Sequence, residues 1–135
     1  MKSKFGHIVF HSLPENQSFY DDLFMFLGWK KLYQDANMLG VGLDDGSSFW
    51  FSTPLKNYVN DYDGPGVNHV GINTFTKAEI DETVKFLQSK GIVALFETPR
   101  HRPEFSGGED QTYYQVMFES PDRILFEIVY IGPKQ

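Results

Sequence analysis

At 135 residues the chain is long enough for one domain with a real core, and 41% hydrophobic with 16% aromatic residues supplies the material to fill it. The 18 acidic against 12 basic residues leave a net charge of -6, with no basic run longer than Lys30-Lys31, which argues against nucleic acid and anionic membrane surfaces as partners. The absence of cysteine excludes disulfides, thiolate metal sites and cysteine nucleophiles, and suits a reducing cytoplasm.

Met1-Lys2-Ser3-Lys4 leads into an apolar run that stops at His11-Ser12, far below a signal sequence or a membrane span, so a soluble cytoplasmic protein is expected. Residues 5–12 are rich in Ile, Val and Phe and predict a strand carrying His7 and His11. Ser12-Leu13-Pro14-Glu15 has capping-box spacing, which predicts a helix start. Phe19, Leu23, Phe26 and Leu27 then form its apolar face and Gly28 ends it. Strands are expected at about 29–34, 38–43 and 48–52, the last two joined through Asp44-Asp45-Gly46.

Residues 53–66, rich in Pro, Asn, Asp and Gly, read as a linker between two similar halves. Beyond it the same grammar returns. A strand at 67–74 carries His69, and Thr76-Lys77-Ala78-Glu79 is a second capping box. Ile80, Val84 and Leu87 give the apolar helix face and Gly91 the stop. Strands follow at about 92–97, 112–119 and 124–131, with a turn through Ser120-Pro121-Asp122-Arg123. His7 to Gly28 is 21 residues and His69 to Gly91 is 22, which supports duplication. Residues 98–111 have no counterpart in the first half and are expected to form a mobile lid. It would bring Arg100, His101 and Arg102 out of water onto an anionic substrate.

Taken together, the His7 start, Phe19-Tyr20, Leu27-Gly28, His69-Val70-Gly71-Ile72 and the Ser120-Pro121-Asp122-Arg123 turn followed by Glu127 resemble the vicinal oxygen chelate superfamily. This group includes glyoxalase I, bleomycin-resistance proteins, extradiol dioxygenases and fosfomycin-modifying thiol transferases. The resemblance implies an α+β fold of two tandem βαβββ modules, about 5–53 and 66–131, around a half-open β-barrel-like cleft. It implies metal ligands on the first and fourth strands of each module, which here fall on His7, His69 and Glu127. The fourth ligand position falls on Trp50, which cannot ligate, and this disfavours glyoxalase I chemistry.

Two imidazoles and one carboxylate suit Fe(II), Mn(II) or Zn(II) and a metal-dependent enzyme acting on a small polar substrate. Against this, each histidine alone could pack in a pseudo-symmetric core and Glu127 could be a strand-edge carboxylate. The competing function is a metal-free protein of bleomycin-resistance type that binds a planar drug between Trp50 and Tyr113. His11 falls on the face of His7 by strand alternation, either as a base beside the ligands or at the cleft mouth. Of Tyr113 and Tyr114 one should face the cleft, and the resemblance favours Tyr113 together with Gln115. Arg100 and Arg102 are read either as substrate-binding groups or as a solvated loop. A homodimer is expected, because exposed sheet edges need cover.

Overall fold

The computed structural model describes residues 1–135 and resolves into two compact units, Met1–Val59 and Asn60–Gln135. In the first, β1 (His7–His11) is followed by α1 (Gln17–Phe26), β2 (Lys30–Gln34), β3 (Met38–Gly42) and β4 (Ser48–Ser52). They form a four-stranded sheet in the order β1-β4-β3-β2, with β1 parallel to β4 and the other pairs antiparallel. Leu39, Val41, Phe49 and Phe51 point to one face, where α1 covers them with Tyr20, Leu23 and Phe24. Tyr20 stacks on Phe51 at 4.2 Å between ring centroids, so aromatic packing anchors the helix as well as area burial does.

The second unit runs β5 (Val70–Thr74), α2 (Lys77–Ser89), β6 (Leu95–His101), β7 (Gln111–Glu119) and β8 (Leu125–Pro133). Its sheet has the order β5-β8-β7-β6 with β5 parallel to β8, the same topology as the first. The expected α+β arrangement of tandem βαβββ modules is what the chain adopts, and neither sheet closes on itself. Val116, Phe118, Phe126 and Ile128 face Ile80 and Leu87 of α2 in the core. Thr76 caps α2 with the expected reciprocal bonds: its hydroxyl accepts from Glu79 N, and Glu79 Oε2 accepts from Thr76 N at 2.9 Å.

The first capping box is not formed. Ser12 is buried and its N–H bonds Ser52 O at 2.9 Å, extending the ladder beyond β1. Leu13 precedes a proline and is extended, so a 3-10 turn, Pro14–Asn16, intervenes before α1. The helix buries Phe19, Tyr20, Leu23 and Phe24 and leaves Phe26 exposed where the sequence pattern put it inside.

The lid expected over 98–111 is also largely structured. Residues 98–101 belong to β6, and Arg102 N continues the ladder to Tyr113 O at 2.8 Å. A 3-10 turn, Pro103–Phe105, and a short turn then lead into β7. The strand expected at about 92–97 lies later, at Leu95–His101, because β6 is bulged: Leu95 pairs with Met117 but Arg100 pairs with Gln115. Phe96 and Glu97 bulge out at positive φ, 56° and 60°. The Thr98 hydroxyl bridges the gap, donating to Leu95 O at 2.7 Å and accepting from Met117 N at 2.9 Å. No alternating pattern survives such a bulge.

Candidate functional site

In each unit the helix covers one face of the sheet, so the chemistry must lie on the other. In the second unit this open face carries Gly71, Tyr113, Gln115, Met117, Glu127 and Ile131 by register. Glu127 is only 5% exposed, although it sits in a strand between Phe126 and Ile128. A buried carboxylate needs donors, and two side chains of β7 provide them. Tyr113 donates its hydroxyl to Oε1 at 2.8 Å, and Gln115 donates its amide nitrogen to Oε2 in a short contact. Gly71 lies opposite on β5, where a Cβ would come to 3.4 Å from Oε1.

Gln115 is itself fixed from the far side. Its Oε1 accepts from Arg102 Nη1 at 3.0 Å, and since a guanidinium only donates, the amide can be oriented in one way. Flipping it would set NH₂ against Arg102 and C=O against the carboxylate. Arg102 also pairs with Glu104 and lies over the Phe105 ring, 5.1 Å from its centroid, while Phe105 packs edge-on to Tyr113 at 5.4 Å. Arg102 therefore does not wait in water as the lid reading expected. Arg100 sits nearer the bulge, 3.6 Å from Glu97, and His101 bonds Thr112 Oγ1 at 2.7 Å. Tyr114 points the other way and donates to Asp81 of α2 at 2.9 Å.

His69 immediately precedes β5 and places Nε2 4.0 Å from Glu127 Oε1. Its Nδ1 lies 2.8 Å from Asn68 Oδ1. Burial, then the bond to Glu127 and its charge, push the Tyr113 hydroxyl up to about 12, with Arg102 acting weakly the other way. Tyr113 thus stays a donor to the carboxylate throughout the neutral range.

On the open face of the first unit, His7, Val9 and His11 alternate outward along β1. Val9 pairs with Trp50 as Gly71 pairs with Glu127, each two residues beyond its histidine, so Trp50 holds in β4 the position that Glu127 holds in β8. The Trp50 ring lies flat over Gly40, where any Cβ would come within 2.5 Å of it, and Nε1 donates to Ser48 Oγ at 2.9 Å. Glycine at residue 40 is what makes room for an aromatic platform.

The donor set of the second unit, one imidazole nitrogen and one carboxylate oxygen facing each other, is chemically that of two metal ligands. No group of three or more His, Cys, Asp or Glu side chains is gathered to hold an ion.

Solved structures place this architecture. A candidate glyoxalase from Bacillus halodurans superposes with a TM-score of 0.77 at 23% identity, covering 93% of this chain and 94% of that one. The fold is that of the glyoxalase/bleomycin resistance protein/dioxygenase group. A glyoxalase/bleomycin resistance protein from Albidiferax ferrireducens T118 gives a TM-score of 0.68 at 17% identity over 95% and 98% of the two chains. The genomically encoded fosfomycin resistance protein FosX from Listeria monocytogenes gives 0.66 at 17% identity, over 96% and 91%. By sequence the chain is 36% identical over 64 residues to the uncharacterized protein YqjT of Bacillus subtilis, an alignment spanning 47% of this chain and 46%, about half, of that one. No family model matches.

The sequence did not single out Asn68, Phe105 or Glu104, all of which touch the network around His69 and Glu127. Asn68 carried a usable signal in that it directly precedes His69. The contacts of Phe105 and Glu104 depend on the bulge and the 3-10 turn, which leave no periodic trace.

Proposed function

We propose that this chain is a divalent-metal-dependent enzyme acting on a small polar molecule, with His69 and Glu127 as metal ligands. One observation carries this reading: His69 Nε2 faces Glu127 Oε1 at 4.0 Å, with the carboxylate already braced by Tyr113 and Gln115. Two acceptor atoms turned toward each other are favourable when something cationic comes between them. An Fe(II), Mn(II) or Zn(II) ion would supply Lewis acidity toward a substrate oxygen. The chain's own residues do the rest. Tyr113 and Gln115 keep the carboxylate from rotating, and Arg102 lends positive charge next to Gln115 for an anionic substrate group. Lyase, dioxygenase-like and thiol-transferase-like reactions all suit such a centre, and similar folds carry the names glyoxalase, dioxygenase and fosfomycin resistance protein.

Metal-free protein titrated with each of the three ions, followed by calorimetry and elemental analysis, tests this. About one ion per chain is expected, lost in His69→Ala and in Glu127→Ala. Retention of none of the three by the wild type would replace the reading with a metal-free protein that binds a planar drug-like compound. The flat Trp50 ring over Gly40 favours that second reading, because an aromatic platform recognises a planar ligand without an ion.

We further propose a cytoplasmic homodimer. No helix is long and apolar enough to cross a membrane. The outer strands of both sheets, β1 and β2 in one and β5 and β6 in the other, leave ladder groups that a second copy would cover. Light scattering at micromolar concentration should give the mass of two chains, and a mass of one chain would reject the dimer.

A further inference from the structure

We infer that Asn68 fixes the tautomer of His69 and thereby decides which ring nitrogen faces Glu127; the use of that nitrogen rests on the metal-binding reading, but its geometry does not. The argument starts from an atom whose role is unambiguous. The backbone carbonyl of Tyr62 can only accept, and Asn68 Nδ2 donates to it at 3.0 Å. The amide is therefore oriented with Oδ1 outward, and this oxygen, also only an acceptor, lies 2.8 Å from His69 Nδ1. Such a contact requires the proton to be on Nδ1. In the neutral ring Nε2 then carries the lone pair, and it is the nitrogen directed at Glu127 Oε1, 4.0 Å away.

The Tyr62 carbonyl is a firm reference because its residue is anchored. Its ring is buried against Met117 and Leu125 on the open face of the sheet, and its hydroxyl donates to Glu119 in a short contact. Arg123 covers the ring at 5.5 Å. Asn60 Nδ2 holds the Arg123 carbonyl at 2.9 Å, tying the same segment to the β7–β8 turn. A relay therefore runs from β7 and β8 through Tyr62 and Asn68 to the ring of His69. The need for it is physical: a histidine ring in water prefers to carry its proton on Nε2, and the Glu127 carboxylate 4.0 Å from that nitrogen favours a proton there as well. Without the Asn68 oxygen, Nε2 would mostly be a donor and would have to lose its proton before it could ligate. Asn68 is thus a positioning residue, acting through His69.

The experiment is nitrogen-15 to proton correlation spectroscopy of the imidazole rings in the metal-free full-length protein, at a pH where the rings are neutral, with His69 assigned by its loss in His69→Gln. The wild type should show His69 protonated on Nδ1. Asn68→Ala should return the ring to a majority protonated on Nε2, and Asn68→Asp, which keeps the accepting oxygen but not the donor to Tyr62, should restore Nδ1 protonation. A role confined to holding the linker would leave the ring spectrum unchanged in Asn68→Ala while lowering the melting temperature equally in both variants. Zn(II) affinity should fall roughly 10- to 100-fold in Asn68→Ala and recover in Asn68→Asp. Wild-type His69 protonated on Nε2, or a tautomer indifferent to residue 68, overturns the inference. A tautomer that follows residue 68 in a protein that takes up no metal leaves the inference standing and removes only the metal reading.

Discussion

Tyr113 donates its hydroxyl to Glu127 Oε1 at 2.8 Å although the residue paired with Glu127 across the ladder is Met117, four positions further along the same strand. The long phenol leans along the open face to reach the carboxylate. Removing the hydroxyl in Tyr113→Phe leaves a buried acceptor short of one partner and should cost about 1–3 kcal/mol in urea unfolding. The raised pKa gives a second reading. The folded state holds this proton up to about pH 12, above the ordinary value of 10.0, so its contribution to stability is complete below pH 10 and is lost as pH rises from there. Tyr33, Tyr62 and Tyr114 are also held above the ordinary value, so ultraviolet titration should show several tyrosines ionising late, and one fewer in Tyr113→Phe. An unchanged titration curve in the variant would assign the late transitions to the other rings.

Gln115 bridges a cation and an anion, oxygen to Arg102 and nitrogen to Glu127, and is 2% exposed. Replacement by Leu should destabilise by about 1–3 kcal/mol, because both charged partners lose a buried hydrogen bond. Replacement by Glu sets two carboxylates side by side. Its loss should be larger at pH 8 than at pH 5, where sharing a proton relieves the repulsion. Equal losses at both pH values would mean that Gln115 is not turned toward Glu127 in solution.

The partner of Arg102 at the surface is Glu104, half exposed and replaceable. An anionic ligand would compete with that carboxylate for the guanidinium. Glu104→Gln should therefore tighten binding of a small phosphonate a few-fold, while Arg102→Ala weakens it about tenfold or more. Calorimetric titration reads both. A phosphonate whose affinity ignores both substitutions binds elsewhere.

Trp50 occupies in β4 the place of Glu127 in β8. Trp50→Ala should weaken binding of a planar aromatic compound about tenfold, because the ring platform over Gly40 is lost. Unchanged affinity would mean that the planar compound binds elsewhere.

The duplication could be read without coordinates because backbone chemistry marks it locally. A histidine in a β-prone run, a helix and a glycine stop recur with almost equal spacing, and Gly28 and Gly91 take positive φ of 84° and 71° as stops should. The Thr76 capping box formed because all its partners lie within four residues. The Ser12 box had the same local signal and failed, since Ser12 had a better partner in Ser52, forty residues away and invisible to a local pattern. Likewise Glu127 stood out in sequence as a carboxylate among apolar strand residues, which must find donors. Which donors it finds depends on cross-strand register, on the three-residue bulge that brings Arg102 back to Tyr113, and on an amide at Asn68 oriented by a carbonyl six residues away. Local propensity determines the elements and their order, whereas hydrogen-bond direction at the site is decided only once strands are paired and each donor can satisfy a single remaining acceptor.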